Sequence, residues 1–291
     1  MKQHVEFFDT AHFENNYNRA APTPLLENFI DFFWETKFDE LLEKHPKGFS
    51  DALFPNTGYT YLINLGTPFI MQVGDDSFHM RQDGFLPRHK AIECYHKKGN
   101  KLFGIKFRIS PVIFQKKINF SEYKGYIFPL SYLMDPKLIE QVKSCLSFEK
   151  RIGLLNKYFE EIVSQHEGSL ASVALVKNIM DVCDKENSFS RPVEQIAAAH
   201  HISVRTLQRY FENTTGVSTK NALQIMRIRK ATAHITSSPE SFHFAAYGYY
   251  DHSHFYKHLK KFLKKETITN ITPHLQLLQK LHKAAFLKAD F

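Results

Sequence analysis

Residues 204–213 read VRTLQRYFEN. On a helix, Arg205, Gln208, Arg209 and Glu212 fall at i, i+3, i+4 and i+7 and share one face, with Thr206 beside them. An Arg guanidinium and a Gln amide are planar forks. The first matches O6 and N7 of guanine, the second N6 and N7 of adenine, so a helix that carries them outward has base-reading chemistry. Residues 248–264, GYYDHSHFYKHLKKFLK, hold a second such face. Ser253, Tyr256, Lys257 and Lys260 point one way, flanked by His254, Lys261 and Lys264.

Such faces need supports. Val204, Leu207 and Phe211 at i, i+3 and i+7 predict a buried stripe opposite the first polar face. Ser203 is a good N-cap for that helix. Upstream, PVEQIAAAH reads as a short helix with an apolar patch at Val193, Ile196 and Ala197, and His201-Ile202-Ser203 forms the break. Together they predict a helix-turn-helix. Taken alone, this segment reads equally well as an ordinary helical hairpin with a solvated face. The second unit tips the balance. There Gly248 suits a turn, Asp251 suits an N-cap, and Phe255, Leu259, Phe262 and Leu263 form the buried stripe. Residues 218–236, STKNALQIMRIRKATAHIT, lie between the units and contain neither Gly nor Pro. As one helix they span roughly 28 Å at ~1.5 Å per residue. Two recognition helices on such a rod would face successive major grooves, ~34 Å apart.

Charge is distributed accordingly. The net charge is +8, yet residues 188–291 hold 15 Lys/Arg against 6 Asp/Glu, whereas residues 1–187 hold 23 against 24. A basic third on a neutral body suggests a polyanion-binding module, with nucleic acid the commonest such partner and an anionic membrane surface the second; the paired helices described above favour double-stranded DNA. No run of 18 apolar residues occurs and the N-terminus lacks a signal-peptide core, so neither a membrane span nor export is expected, and the Phe/Leu stripes of the basic helices are used in the helix-turn-helix pattern, which disfavours a membrane surface as partner. Cys94, Cys145 and Cys183 form no CxxC pair and fit a reducing cytoplasm.

The rest of the chain reads as α+β. Leu25–Phe38 is apolar without a clean helical period. Residues 53–109 are short β-branched and aromatic segments broken by Gly, Asp and Pro, which predicts a small sandwich or barrel. Of 27 Phe, 19 precede residue 188, enough to fill a first core. Phe69, Phe85, Tyr95, Phe103 and Phe107 read as core or as the lining of an apolar pocket. Helical spacing begins near Asp135 and covers 136–165, a candidate dimerisation surface for a homodimer or else intradomain packing. Gly168-Ser169 marks the boundary. We therefore divide the chain into residues 1–168, β-rich and helical from about 135, and residues 169–291, all-α. An amphipathic C-terminal helix is expected over Leu275, Leu278 and Leu281/His282.

The segments IAAAHHISVRTLQRYFENTTGVS, RIRKA and GYYDHSHFYKHLKKF carry a resemblance. Region 170–265 resembles the AraC/XylS-type DNA-binding domain of bacterial transcription regulators. The matching positions are Ile196-Ala197, Ser203, Leu207, Arg209, Phe211, Thr215-Gly216 and Ser218, then Gly248-Tyr249 and Ser253-His254-Phe255. HFAAYG departs from the family by placing Phe244 where an alanine is usual or by lacking one residue, which puts the packing of the second supporting helix in question. The resemblance implies that Arg205, Thr206, Gln208 and Arg209 read bases from the first helix, and His252, Ser253, His254 and Lys257 from the second. Arg227, Arg229, Lys230 and Lys260 are assigned to phosphates or to internal ion pairs. Residues 53–115 more weakly resemble the cupin-like sensing domains that precede such units. His79, His89, Glu93 and His96 are scattered and lack a His-x-His, so no metal and no cofactor are expected.

The resemblance implies a cytoplasmic, sequence-specific transcription regulator, an activator as most of the family are, with RNA polymerase as a partner and a small-molecule effector in the N-terminal domain. The competing reading is a cupin-type metal enzyme with secondary nucleic-acid binding. No Walker loop, GxSxG, HExxH or dinucleotide fingerprint favours it, and a non-enzyme is expected.

Overall fold

The computed structural model describes residues 12, 15–46, 49–114, 127–238 and 241–262. The expected helix at Leu275–His282 lies outside them. The N-terminal part contains strands β1 (Tyr17–Ala20), β2 (Ile30–Lys37), β3 (Phe49–Leu53), β4 (Tyr59–Asn64), β5 (Phe69–Val73), β6 (Asp76–Met80), β7 (Gly84–Pro87), β8 (Ile92–His96), β9 (Lys101–Phe107) and β10 (Phe128–Pro129). A short helix α1 (Asp39–Lys44) interrupts them, and α2 (Pro136–Ser144) and α3 (Phe148–Ser164) follow. The strands form two antiparallel sheets, ordered β1-β2-β9-β4-β7-β10 and β3-β8-β5-β6. The mixed α+β class read from the sequence is what the chain adopts.

The six-stranded sheet is covered on both faces. Tyr61, Ile63, Phe103 and Ile105 pack with Ile139, Val142, Leu155 and Phe159 of α2 and α3. Leu62 and Leu102, on the opposite face, pack with Phe69, Met71 and Cys94 of the smaller sheet. Strands buried on both faces read as near-continuous apolar runs. This explains why Leu25–Phe38 shows neither a helical nor an alternating period: Phe32, Phe33 and Thr36 are all buried within β2. Phe69, Phe85, Phe103 and Phe107 are core residues, while Tyr95 is exposed. Gly104 is required by sterics, since a Cβ there would lie 2.1 Å from the Trp34 indole. Arg151 of α3 clamps the helices to the sheet, donating to Glu35 Oε2 at 2.8 Å and to the Val142 carbonyl at 3.2 Å. Lys101 adds a second cation at 2.9 Å from Glu35.

The C-terminal part is helical. It contains α4 (Ala171–Glu186), α5 (Val193–Ala199), α6 (Val204–Thr215), α7 (Thr219–Ser237) and α8 (His252–Phe262). Helix α7 has the 19 residues expected of the rod. It packs against α4, α6 and α8. Leu207, Phe211, Phe255 and Leu259 are fully buried, as the stripes require. Val204 corrects that reading: as the first residue of α6 it is 40% exposed. Where the first unit has α5, the second has, among the described residues, a single 3-10 turn, Phe244–Tyr247. Phe242 and Phe244 pack edge-on at 4.9 Å, and both lie against Phe255.

The two parts interlock. Helix α4 begins in the sandwich core through Val173 and continues into the helical core through Val176, Ile179 and Cys183. In return Phe54, which follows β3, is 2% exposed and belongs to the helical core.

Between the sheets, His96 is stacked 3.6 Å from Phe38, and its Nδ1 lies 2.6 Å from Asn100 Oδ1. Burial lowers its pKa to about 4. The unfolded imidazole takes its proton near pH 6.5 and the folded one does not, so stability is full above ~6.5 and falls as pH drops towards ~4. At pH 5 the loss is about 2 kcal/mol. Replacing His96 with Phe should remove that part of the acid destabilisation, measured by urea unfolding at pH 7 and pH 5.

Candidate nucleic-acid interface

Ser203 caps α6, its Oγ accepting from the Thr206 amide at 3.1 Å. Asp251 caps α8, its Oδ1 accepting from the His254 amide at 2.7 Å. Each recognition-type helix therefore starts at a fixed residue and presents a fixed face. On the first, Arg205 and Arg209 are exposed and Thr206 and Gln208 half-buried. Gln208 Nε2 donates to Glu212 Oε1 at 3.0 Å and its Oε1 accepts from the Thr219 amide at 3.4 Å, so both ends of this amide are engaged within the protein. On the second, Ser253, His254 and Lys257 are exposed. The His252 side chain lies outside the described residues. The Nδ1 of His254 accepts from the Tyr250 amide at 3.3 Å, so this imidazole helps hold the turn as well as facing outward.

The cations assigned to phosphates or internal pairs divide. Lys260 is exposed, 4.6 Å from the Tyr256 ring centroid. The three on α7 bind carbonyls of this chain. Arg227 donates through Nε to Tyr247 at 2.7 Å and through Nη2 to Gly248, and stacks 3.8 Å from the Tyr249 ring. Burial lowers its pKa. Arg229 donates to Phe54 at 3.1 Å and Pro55 at 2.9 Å. Lys230 donates to the Asp184 carbonyl.

Arg227 thus brackets the turn into α8. That turn has Gly248 at φ +69°, a left-handed conformation in which a side chain would also crowd Ser190. Tyr249 points inward and pairs with His258 Nδ1 at 2.6 Å. Burial, with Arg227, Lys261 and His254 nearby, lowers His258 to about 4. Sequence reasoning did not single out Tyr250, which is 93% exposed just before α8 and adds an aromatic to this surface. Two adjacent tyrosines give no sequence signal for which one points inward.

Residues 196–266 match the family model described as a helix-turn-helix domain. This segment is an AraC-type helix-turn-helix domain. The chain is a DNA-binding transcription regulator. Among solved structures it is similar to ToxT from Vibrio cholerae, with 10% identity over 90% of this chain and 98% of that one and a TM-score of 0.44. ToxT from Vibrio cholerae O395 bound to (E)-4-(8-methylnaphthalen-1-yl)but-3-enoic acid matches at 10% identity over 91% and 100%, with a TM-score of 0.44. The AraC-like transcriptional activator CuxR matches at 11% identity over 77% and 89%, with a TM-score of 0.26. No curated protein matches the chain. Among the described residues, no helix is long and apolar enough to cross a membrane, and no three His, Cys, Asp or Glu side chains converge as a metal site.

The AraC-type domain depends on Arg227 to seat its second unit. Arg227→Gln should destabilise that unit by about 1–2 kcal/mol through lost charge-assisted hydrogen bonds. Hydrogen exchange should show faster amides over residues 247–258, with those of α6 little changed.

Proposed function

We propose that this regulator is sequence-specific and effector-responsive, and that it acts as an activator in the cytoplasm. In this reading α6 and α8 enter successive major grooves on one face of DNA. Arg205, Thr206, Gln208 and Arg209 contact bases from the first helix, and His252, Ser253, His254 and Lys257 from the second. Lys260 contacts a phosphate. Arg227, Arg229 and Lys230 act within the protein by setting the frame that holds the two helices. The N-terminal β-rich part receives a small molecule and biases the competence of the AraC-type domain. RNA polymerase is the downstream partner, and α2 and α3 offer a surface to a second copy of the chain. The unit before residue 169 is a sensor, the unit after it the DNA-binding part. The reading is of a binding protein and not of an enzyme.

One observation carries it. Two capped helices each bury Leu and Phe on one side and expose basic and hydrogen-bonding side chains on the other, and both are fixed to one 19-residue helix. Phosphate contacts supply affinity that falls with salt, and base contacts supply specificity.

Selection of bound sequences from a random DNA pool, followed by affinity measurement at several salt concentrations, tests it. Arg209→Ala should cost about 1–3 kcal/mol on the selected site and relax the preference at one position. Lys260→Gln should weaken all sequences alike and reduce the salt slope by roughly one. Unchanged operator binding by the Arg209 variant would remove the assignment of α6.

A further inference from the structure

The imidazole of His254 is tied on its inner side. Its Nδ1 accepts from the Tyr250 amide at 3.3 Å. The Tyr249 ring lies edge-on against it, with centroids 5.3 Å apart and planes at 78°. Tyr249 is itself buried, stacked 3.8 Å from the Arg227 guanidinium and paired with His258. The main chain of His254 is fixed as well, because its amide donates to the Asp251 cap at 2.7 Å. An exposed side chain is thus held in one place by its own turn, with little freedom left to lose on meeting a ligand.

The bond to Tyr250 also decides the chemistry of the ring. A neutral imidazole has one N–H and one bare nitrogen. A backbone amide only donates, so the nitrogen it meets, Nδ1, is the bare one. The proton therefore sits on Nε2, and the ring has a donor, not an acceptor, left to offer. Lys257 lies one turn further on, is exposed, and carries donors alone. Ser253 beside them can serve either way and sets no preference.

We propose that His254 is a specificity-determining residue, a donor of fixed tautomer that selects guanine at one position of the bound DNA and rejects cytosine. The proposal rests on the reading above that α8 enters a major groove. In that groove guanine shows two acceptors, N7 and O6, whereas cytosine shows the N4 amino donor. The Nε2–H meets an acceptor on the first and a competing donor on the second. Adenine and thymine, with one acceptor each, fall between.

Two measurements test it. A long-range proton–nitrogen correlation spectrum of the full-length chain without DNA, at about pH 8 where a free imidazole is neutral, should show the His254 proton on Nε2. The signals missing from His254→Asn identify this ring. A proton on Nδ1 overturns the proposal and leaves the DNA-binding reading untouched. Selection from a random DNA pool is then repeated with His254→Asn and His254→Gln. The Asn side chain can still accept from the Tyr250 amide but is too short to reach a base. A guanine preference of about fivefold over cytosine should therefore vanish at one position while the rest of the site stays. The Gln side chain ends in an amide that both donates and accepts, and should move that position to adenine. Both substitutions keep the main-chain amide that Asp251 caps, and urea unfolding should show both variants folded. A site unchanged by both folded variants, or a base other than guanine preferred at the altered position by the unsubstituted chain, overturns the proposal while the α6 contacts tested by Arg209→Ala stand. No sequence preference at all in the unsubstituted chain overturns the proposal and the sequence-specific reading together.

Discussion

The carbonyl of Phe54 is held from both sides. Arg88 of the β-rich part donates to it at 3.2 Å, and Arg229 of the long helix donates to it at 3.1 Å. The ring of the same residue is buried in the helical core, 5.8 Å from the Arg229 guanidinium. Two guanidiniums sharing one acceptor do not repel prohibitively, because each has other acceptors, Thr60 for Arg88 and Pro55 for Arg229. The outcome is a polar joint over an apolar plug. Water is excluded from the ring and the carbonyl is fully engaged, so the joint has one good geometry and few poor ones. The long helix that carries both recognition units is thereby referenced to the sheets.

What was legible in the sequence follows local rules. Ser203 and Asp251 cap helices because short polar acceptors at those positions satisfy free amides, and no distant residue is needed to see it. The span of α7 was readable from the absence of breakers, and Leu207, Phe211, Phe255 and Leu259 from their spacing. Strand β2 was not readable. Periodicity reports a difference between two faces, and a strand buried on both has none to report. Val204 marks a related limit. It continues the apolar stripe of α6 in register, yet at the first turn nothing lies above it to cover it.

The basic excess shows where counting stops helping. Arg205, Arg209, Lys257 and Lys260 are exposed, as amphipathic spacing suggests. Arg227, Arg229 and Lys230 are as basic and sit on a helix between the two units, but each meets a carbonyl from another element. Whether a cation faces solvent or a chain turn depends on which elements surround its helix. Helix α7 has neighbours on several sides, so its polar residues serve as internal brackets. The missing second supporting helix has a similar origin: Phe242 and Phe244 fill with aromatic volume the place where a helix with small residues would stand.

Helix α4 starts in one core and ends in the other, and Phe54 crosses in the opposite direction. Gene fragments encoding sensor and DNA-binding halves are exchanged most freely when each half folds with nothing borrowed. Here the helical part joined to a foreign partner in place of the β-rich part would have an unfilled site where the Phe54 ring belongs and an exposed Val173 where a sheet should be. A graft would therefore have to carry the loop around Phe54 together with the long helix whose Arg229 holds it.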